Sequence, residues 1–339
     1  MGNKSTMPWF LPICLFLCFF GIANDLWSAP PPYYKDKTIT IVVGYGPGGG
    51  YDRMARILAK HLPKHIPGNP VVLVESMPGA DSIIAANHTY RIAKPDGLTI
   101  GTFNRGLIYA QLLNAQGVRF DLTKFAWIGS PAVEATVLTV RTDMPYKTFG
   151  DITKATTPVI MGSTGPADST GQLPLLLKEF FNIKMKMVNY PSSADVMLAI
   201  ERKEIDGKGA SYSSIKPLID RGVVRPLLRG RVSEKGTENL PIDEDLTSDK
   251  KAKALLAMRT GPDRISRPYV APPGTPPEVM KILRTAFSSV SRDPELLKDA
   301  EKTMISIEYV SADETLKIVK ELLGQPEELV KEFNKFIKF

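Results

Sequence analysis

The stretch Ile39-Thr40-Ile41-Val42-Val43-Gly44-Tyr45-Gly46-Pro47-Gly48-Gly49-Gly50-Tyr51-Asp52 constrains this chain most. An apolar run that reads as a buried strand ends in glycines, and an aspartate stands at the head of a helical pattern. Residues without Cβ atoms adopt positive φ and let a ligand approach the backbone. The helix that follows offers unsatisfied N–H groups and the positive end of its dipole. Such a strand-loop-helix unit suits an anion, most simply a carboxylate; the bland alternative is a tight turn with no ligand.

A second unit follows at once. Pro70-Val71-Val72-Leu73-Val74-Glu75 reads as a buried strand, Ser76 to Ser82 as its loop, and Ile83-Ile84-Ala85-Ala86 as the helix after it. Lys94-Pro95-Asp96-Gly97 makes a turn into a third strand, Leu98-Thr99-Ile100-Gly101, ending near Asn104 and Arg105. Strands alternating with helices predict a parallel α/β sheet whose carboxyl-end loops share one edge.

Several of these segments carry a resemblance: Pro47-Gly48-Gly49-Gly50-Tyr51-Asp52-Arg53-Met54-Ala55-Arg56, Pro78-Gly79-Ala80 and Pro95-Asp96-Gly97-Leu98-Thr99. Near the far end, Ala271-Pro272-Pro273-Gly274-Thr275-Pro276-Pro277-Glu278 and Asp293-Pro294-Glu295-Leu296 continue it. In order and spacing the chain resembles the extracytoplasmic solute receptors of tripartite tricarboxylate transporters, the TctC or Bug family. That resemblance implies a two-domain periplasmic-binding-protein (Venus-flytrap) fold with a ligand cleft between domains. It places the crossings near Pro131 to Val140 and Gly261 to Val270. The first domain is then discontinuous, 30–135 with 262–339, and the second is 136–261.

The amino end agrees independently. Lys4 precedes an apolar stretch from Trp9 to Ala23, short for a membrane span but suited to a cleavable secretory signal, with an uncleaved anchor as the alternative. Small residues at Gly21 and Ala23 or at Ser28 and Ala29 offer cleavage points, of which Ala29, giving a signal over 1–29, is preferred. Neither Cys14 nor Cys18 follows a small residue, which argues against lipoprotein processing. Both cysteines leave with the signal, so the mature chain has no disulfide or thiolate chemistry. What remains, about 310 residues, exceeds a typical single core. The formal charge of +7 attracts anions weakly, but the basic residues are dispersed among acids, so no nucleic-acid partner is expected.

In the middle, Pro158-Val159-Ile160-Met161-Gly162 reads as a strand entering a polar loop, Ser163-Thr164-Gly165-Pro166-Ala167-Asp168-Ser169-Thr170-Gly171, before an apolar helix through Leu177. Lys184 to Tyr190 alternates as a strand, and a helix with Val196, Met197 and Ile200 leads to Glu204-Ile205-Asp206-Gly207. The last helices, Pro277 to Val290 and Asp313 to Phe339, read as a surface layer.

The candidate ligand-binding residues are Tyr45, Gly46, Pro47, Gly48, Gly49 and Tyr51 in the first loop, Gly79, Ala80 and Asp81 in the second, and Arg105 after the third strand. Ser163, Thr164, Asp168, Ser169, Thr170 and Tyr190 form the opposing wall. Each has a bland alternative: the tyrosines stabilise loops, the hydroxyls and acids cap helices, and Arg105 makes an exposed structural ion pair. Asp52 reads as a cap for a helix from Arg53 to Leu62. Asp81 stands where the family commonly has glycine after Pro-Gly-Ala; it and Asp168 cap helices or meet an amine on the ligand. Tyr190-Pro191-Ser192 and Leu240-Pro241-Ile242-Asp243 also depart from the family pattern.

Gly44-x-Gly46-x-x-Gly49 matches a dinucleotide fingerprint, which makes a Rossmann-type nicotinamide-dependent oxidoreductase the enzymatic alternative. Asp52 would then crowd a pyrophosphate, and no G-x-S-x-G elbow exists for a hydrolase. His61 and His65 have metal-pair spacing, but Pro63 lies between them and no third ligand is evident, so no metal is expected. The expectation is a monomeric periplasmic receptor without cofactor or catalysis. Its ligand is a small organic acid (a di- or tricarboxylate, an aromatic carboxylate or an amino acid), passed to integral-membrane transporter subunits.

Overall fold

A computed structural model describes residues 1–2, 31–165, 168 and 170–337. The chain divides into a segment Met1–Pro31 and a body Pro32–Phe339. The segment 1–29 expected to be a signal peptide lies almost wholly outside the described residues.

The body opens with β1 (Thr38–Val43), α1 (Gly50–His61), β2 (Val71–Ser76), α2 (Ile83–Arg91), β3 (Thr99–Thr102), α3 (Leu107–Leu112) and β4 (Ala126–Ser130). It continues with β5 (Thr136–Arg141), α4 (Phe149–Ile152), β6 (Val159–Ser163), α5 (Gln172–Phe180), β7 (Met185–Asn189) and α6 (Ser193–Glu201). Next come β8 (Gly207–Ser211), α7 (Tyr212–Asp220), β9 (Val224–Arg229) and α8 (Lys250–Thr260). It closes with β10 (Tyr269–Ala271), α9 (Pro277–Val290), α10 (Pro294–Lys302), β11 (Val310–Ser311), α11 (Ala312–Leu323) and α12 (Glu327–Phe336).

Two sheets organise these elements, one in the order β11-β4-β10-β3-β1-β2 and one in the order β7-β6-β8-β5-β9. The strand-bearing chain passes between them from β4 to β5 and back from α8 to β10, and α12 then returns to the second sheet's core. Each sheet is mixed rather than parallel. β1 runs parallel to β2 and β3, and β6 to β7 and β8, as βαβ units require. The strands beside the crossings, β5 and β10, run antiparallel to their neighbours because they carry the chain back the other way.

Burial follows position in the sheet. β1 lies between two strands, and Ile39, Ile41 and Val43 are fully buried among Met54, Leu58 and Phe287. β2 has only one partner, so its apolar run is an edge strand, not a buried one: Val71 is 58 % and Leu73 54 % exposed. The expected span Asp313 to Phe339 is two helices, broken at Gly324-Gln325-Pro326, where proline cannot continue α11. Phe333 of α12 is buried in the core around the second sheet, against Tyr109.

Candidate functional site

A cavity of about 60 Å³ opens beyond the carboxyl ends of strands from both sheets. Tyr45, Gly46, Gly49 and Tyr51 reach it from the loop after β1, and Arg105 from the turn after β3. Thr164, Asp168 and Thr170 reach it from the loop after β6. A wider opening beside it is lined by Gly79, Ala80, Asp81 and Tyr190 together with Tyr45 and Thr164. Convergence at this edge follows from parallel βα connections, whose loops all emerge on one side.

The first loop is held by its own helix. α1 begins at Gly50, three residues before the expected start, and its N-cap Gly49 makes no side-chain cap. Asp52 lies inside the first turn. Its Oδ2 accepts from the Gly48 N–H at 2.9 Å, and its carboxylate pairs with Arg56 at 2.9 Å. Asp52 therefore braces the loop instead of capping an Arg53 helix. A Cβ at Gly46, Gly48 or Gly49 would stand 3.7–3.9 Å from Cβ atoms of Ser192, Ala194 and Ser193. The glycine edge thus lies directly against the start of α6, and Pro47 and Gly48 do not line the cavity. Gly50 has no room at all: a Cβ would fall 2.3 Å from Ser214 Oγ and 2.5 Å from an Arg267 nitrogen.

Tyr45 and Tyr51 pack with ring centroids 5.2 Å apart. Tyr51 spends its hydroxyl on structure, donating to the Ser266 carbonyl and accepting from the Arg105 N–H, both at 3.0 Å. Its ring faces the cavity under the Arg267 guanidinium, 4.9 Å from the centroid. Loss of hydration, reinforced by the Asp81 and Asp168 carboxylates, pushes the Tyr45 phenol well above its ordinary value, so it remains a neutral hydroxyl.

Arg105 is buried, not exposed, and its charge is already matched. It meets Asp263 at 2.8 Å and Thr136 Oγ1 at 2.9 Å, with Glu134 at 3.7 Å. Burial opposes its charge, but Asp263 and other nearby acids outweigh that and raise its pKa. Glu134 also binds Arg267 at 2.9 Å and accepts from the Ser213 hydroxyl. Burial works against the Glu134 carboxylate too, yet Arg267 and Arg105 hold it below its ordinary value. Arg259 joins through Asp263 at 3.3 Å and Asp243 at 3.5 Å. Both chain crossings enter this network, Glu134 from the first and Asp263 and Arg267 from the second.

Asp168 organises its own loop. Oδ1 accepts from Thr170 N–H at 2.9 Å and Oγ1 at 2.6 Å; Oδ2 accepts from Thr164 Oγ1 at 3.1 Å. It does not cap α5, whose N-cap is Gly171. Ser163 likewise turns to Gly165, exchanging bonds at 3.1 Å, and does not line the cavity. Ser169 lies outside the described residues. Asp81 does not cap α2, whose N-cap is Ser82; its carboxylate packs against Gly165 on the opposite wall. Ala80, Asp81 and Ser82 all have positive φ, so the second loop is a left-handed turn without glycine at those positions.

Sequence reasoning missed Lys208. It stands on β8 between Gly207 and Gly209, is 3 % exposed, and reaches the cavity. Its Nζ donates to Ser193 Oγ at 2.8 Å. The legible signal was a lysine flanked by glycines in a strand of small residues. A Cβ at Gly209 would lie 2.0 Å from the Thr170 carbonyl oxygen, so glycine lets the Asp168 loop rest on β8.

His61 does not pair with His65 in a cluster; its ligand atoms lie instead within 4.8 Å of those of Asp293, the N-cap of α10, and Glu295. Lys64 and His65 already meet Asp293 at 2.7 Å, which makes this an ion-paired contact between helices.

Two α/β lobes with a cavity between their strand ends define a periplasmic-binding-protein fold. Residues 54–335 match the family model described as the tripartite tricarboxylate transporter family receptor, so the chain belongs to that family. A UPF0065 protein of Bordetella pertussis is 24 % identical over 311 residues, covering 90 % of this chain and 92 % of that one. The periplasmic binding protein BugD superposes with a TM-score of 0.74 at 19 % identity, over 89 % of this chain and 98 % of that chain. MatC from Rhodopseudomonas palustris with bound malate superposes at 0.71 and 17 % identity, over 87 % and 99 % of the two chains. The family and the fold are those of binding receptors, not of nicotinamide enzymes.

Proposed function

We propose that this receptor captures a small carboxylate-containing organic acid in the periplasm and delivers it to the integral-membrane subunits of a tripartite tricarboxylate-type transporter, without turnover. The observation that carries this reading is the cavity itself: backbone of the Gly46–Gly50 loop on one side, hydroxyls of Thr164, Thr170 and Ser193 on the other, and Lys208 at its wall. Preorganised N–H groups and hydroxyls replace the water around a carboxylate, and contacts from both lobes favour closure. The malate in MatC supports the same class of ligand. Asp168, whose oxygens are taken up within its own loop, favours a simple acid over an amino acid.

Residues 30–135 with 262–339 form the first lobe and 136–261 the second in this reading, with α12 clasping the second lobe's core. Export removes residues 1–29 and leaves a monomer. Native mass spectrometry of the mature protein, followed by calorimetry with malate and adipate, tests the proposal. Retention of an organic acid, or binding of either compound, is the expected result. Saturable binding of a nicotinamide nucleotide with no binding of acids overturns it.

A further inference from the structure

Five lysine and arginine side chains are buried within the described body: Arg105, Lys208, Arg229, Arg259 and Arg267. Three of them have acid partners within 4.0 Å, and Arg229 gives its donors to the carbonyls of Thr237, Gly230 and Arg231. Lys208 has neither arrangement. Among the described residues its ammonium has one hydroxyl partner, Ser193 Oγ, and no carboxylate within ion-pair distance. A desolvated ammonium with two donors unused is costly unless something else neutralises it.

We infer that Lys208 receives the second carboxylate of a short dicarboxylate whose first carboxylate rests on the Gly46–Gly50 loop, and so makes a second negative charge a condition of tight binding. Several observations converge on this. Lys208 and the first loop line the same small cavity, so a chain of a few carbons reaches both. Ser193 orients the ammonium and belongs to the start of α6, which lies against that loop. Asp168, the acid that acts on Lys208 through space, is engaged by Thr164 and Thr170 and does not take the ammonium for itself. Burial lowers the Lys208 pKa, and Asp168 partly offsets that; a bound carboxylate restores the charged form further. The inference rests on the carboxylate-receptor reading and deepens it by naming the group that counts charge.

The test is calorimetry of the mature protein with malonate, succinate, glutarate and adipate, each against the monocarboxylate of equal chain length. Wild type is expected to prefer the best dicarboxylate over its partner by about 100-fold. Lys208→Met, close in volume and uncharged, is expected to abolish that preference, with the larger loss falling on the dicarboxylate. Ser193→Ala keeps the charge but loses its orientation, and is expected to lower dicarboxylate affinity more than monocarboxylate affinity; an equal loss for both counts against the role of Lys208. This second variant keeps the inference open to refutation if Lys208→Met does not fold, as judged by circular dichroism. Equal binding of mono- and dicarboxylates by wild type, or an undiminished preference in folded Lys208→Met, overturns the role of Lys208 and leaves the receptor reading intact. Absence of binding by every acid in wild type overturns both.

Discussion

Arg105, in the turn after β3, and Asp263, on the return from α8, meet at 2.8 Å with side chains 1 % and 0 % exposed. The pair joins segments 158 positions apart and sits where the chain crosses between sheets, beside the cavity. Removing one member leaves the other charged and unsolvated. Arg105→Ala and Asp263→Asn are each expected to lose about 3–5 kcal/mol in urea unfolding. The double variant should lose less than their sum, because both charges are then gone. Additive losses would mean that the two side chains act independently.

Glu234 gives the fold a pH signature. Burial first, then the Glu134 carboxylate, pushes its carboxyl from 4.5 up to about 8. The native state therefore binds that proton more tightly than the unfolded chain. Its contribution is full below pH 4.5 and is lost as pH rises through about 8. Glu234→Gln keeps an acceptor for the Ala135 N–H and removes the titration. Unfolding measured on either side of that window should show a shallower decline for the variant than for wild type; parallel curves would refute this assignment.

The glycines of the first loop separate by what they touch. Gly50→Ala forces its Cβ into Ser214 and Arg267 and is expected to cost about 1–3 kcal/mol, since Arg267 must leave Glu134 to make room. Gly46→Val meets Ser192 at ordinary contact distance, so the fold should survive. Its branches press on α6 and narrow the cavity, lowering ligand affinity by about tenfold or more in calorimetry. Normal affinity in folded Gly46→Val would count against closure of the loop on α6.

The second loop stores strain that can be released. Ala80 has φ 45° and an exposed side chain, so a Cβ there gains little packing and meets its own backbone. Ala80→Gly is expected to stabilise the protein by about 1 kcal/mol in thermal or urea unfolding. A loss of stability would mean that the left-handed turn is not strained at this position.

Much of this molecule is determined locally. Alternating apolar runs, the Gly-rich turn after Val43 and the polar loop after Ser163 follow from short-range periodicity and turn chemistry. They placed β1, β6 and α9 nearly at their observed bounds and brought Tyr45, Gly46, Thr164, Asp168 and Thr170 to one cavity. What the sequence could not reveal depends on partners distant along the chain. Val71 and Leu73 look like a core strand until the sheet leaves β2 at its edge. Arg105 looks like a free anion receptor until Asp263 and Glu134 arrive from the crossings to claim it. Asp52, Asp168 and Ser163 differ: the groups that claim them lie two to four positions away, in the same loop or the helix that follows, and only the local conformation makes them partners. Lys208 looks like one basic residue among many, and becomes a buried cation without an ion-pair partner among the described residues only because folding buries β8 and brings it Ser193 instead of an acid. Burial and charge pairing are properties of what surrounds a side chain in space, and for Lys208 and Arg105 those surroundings include groups 15 and 158 positions away along the chain.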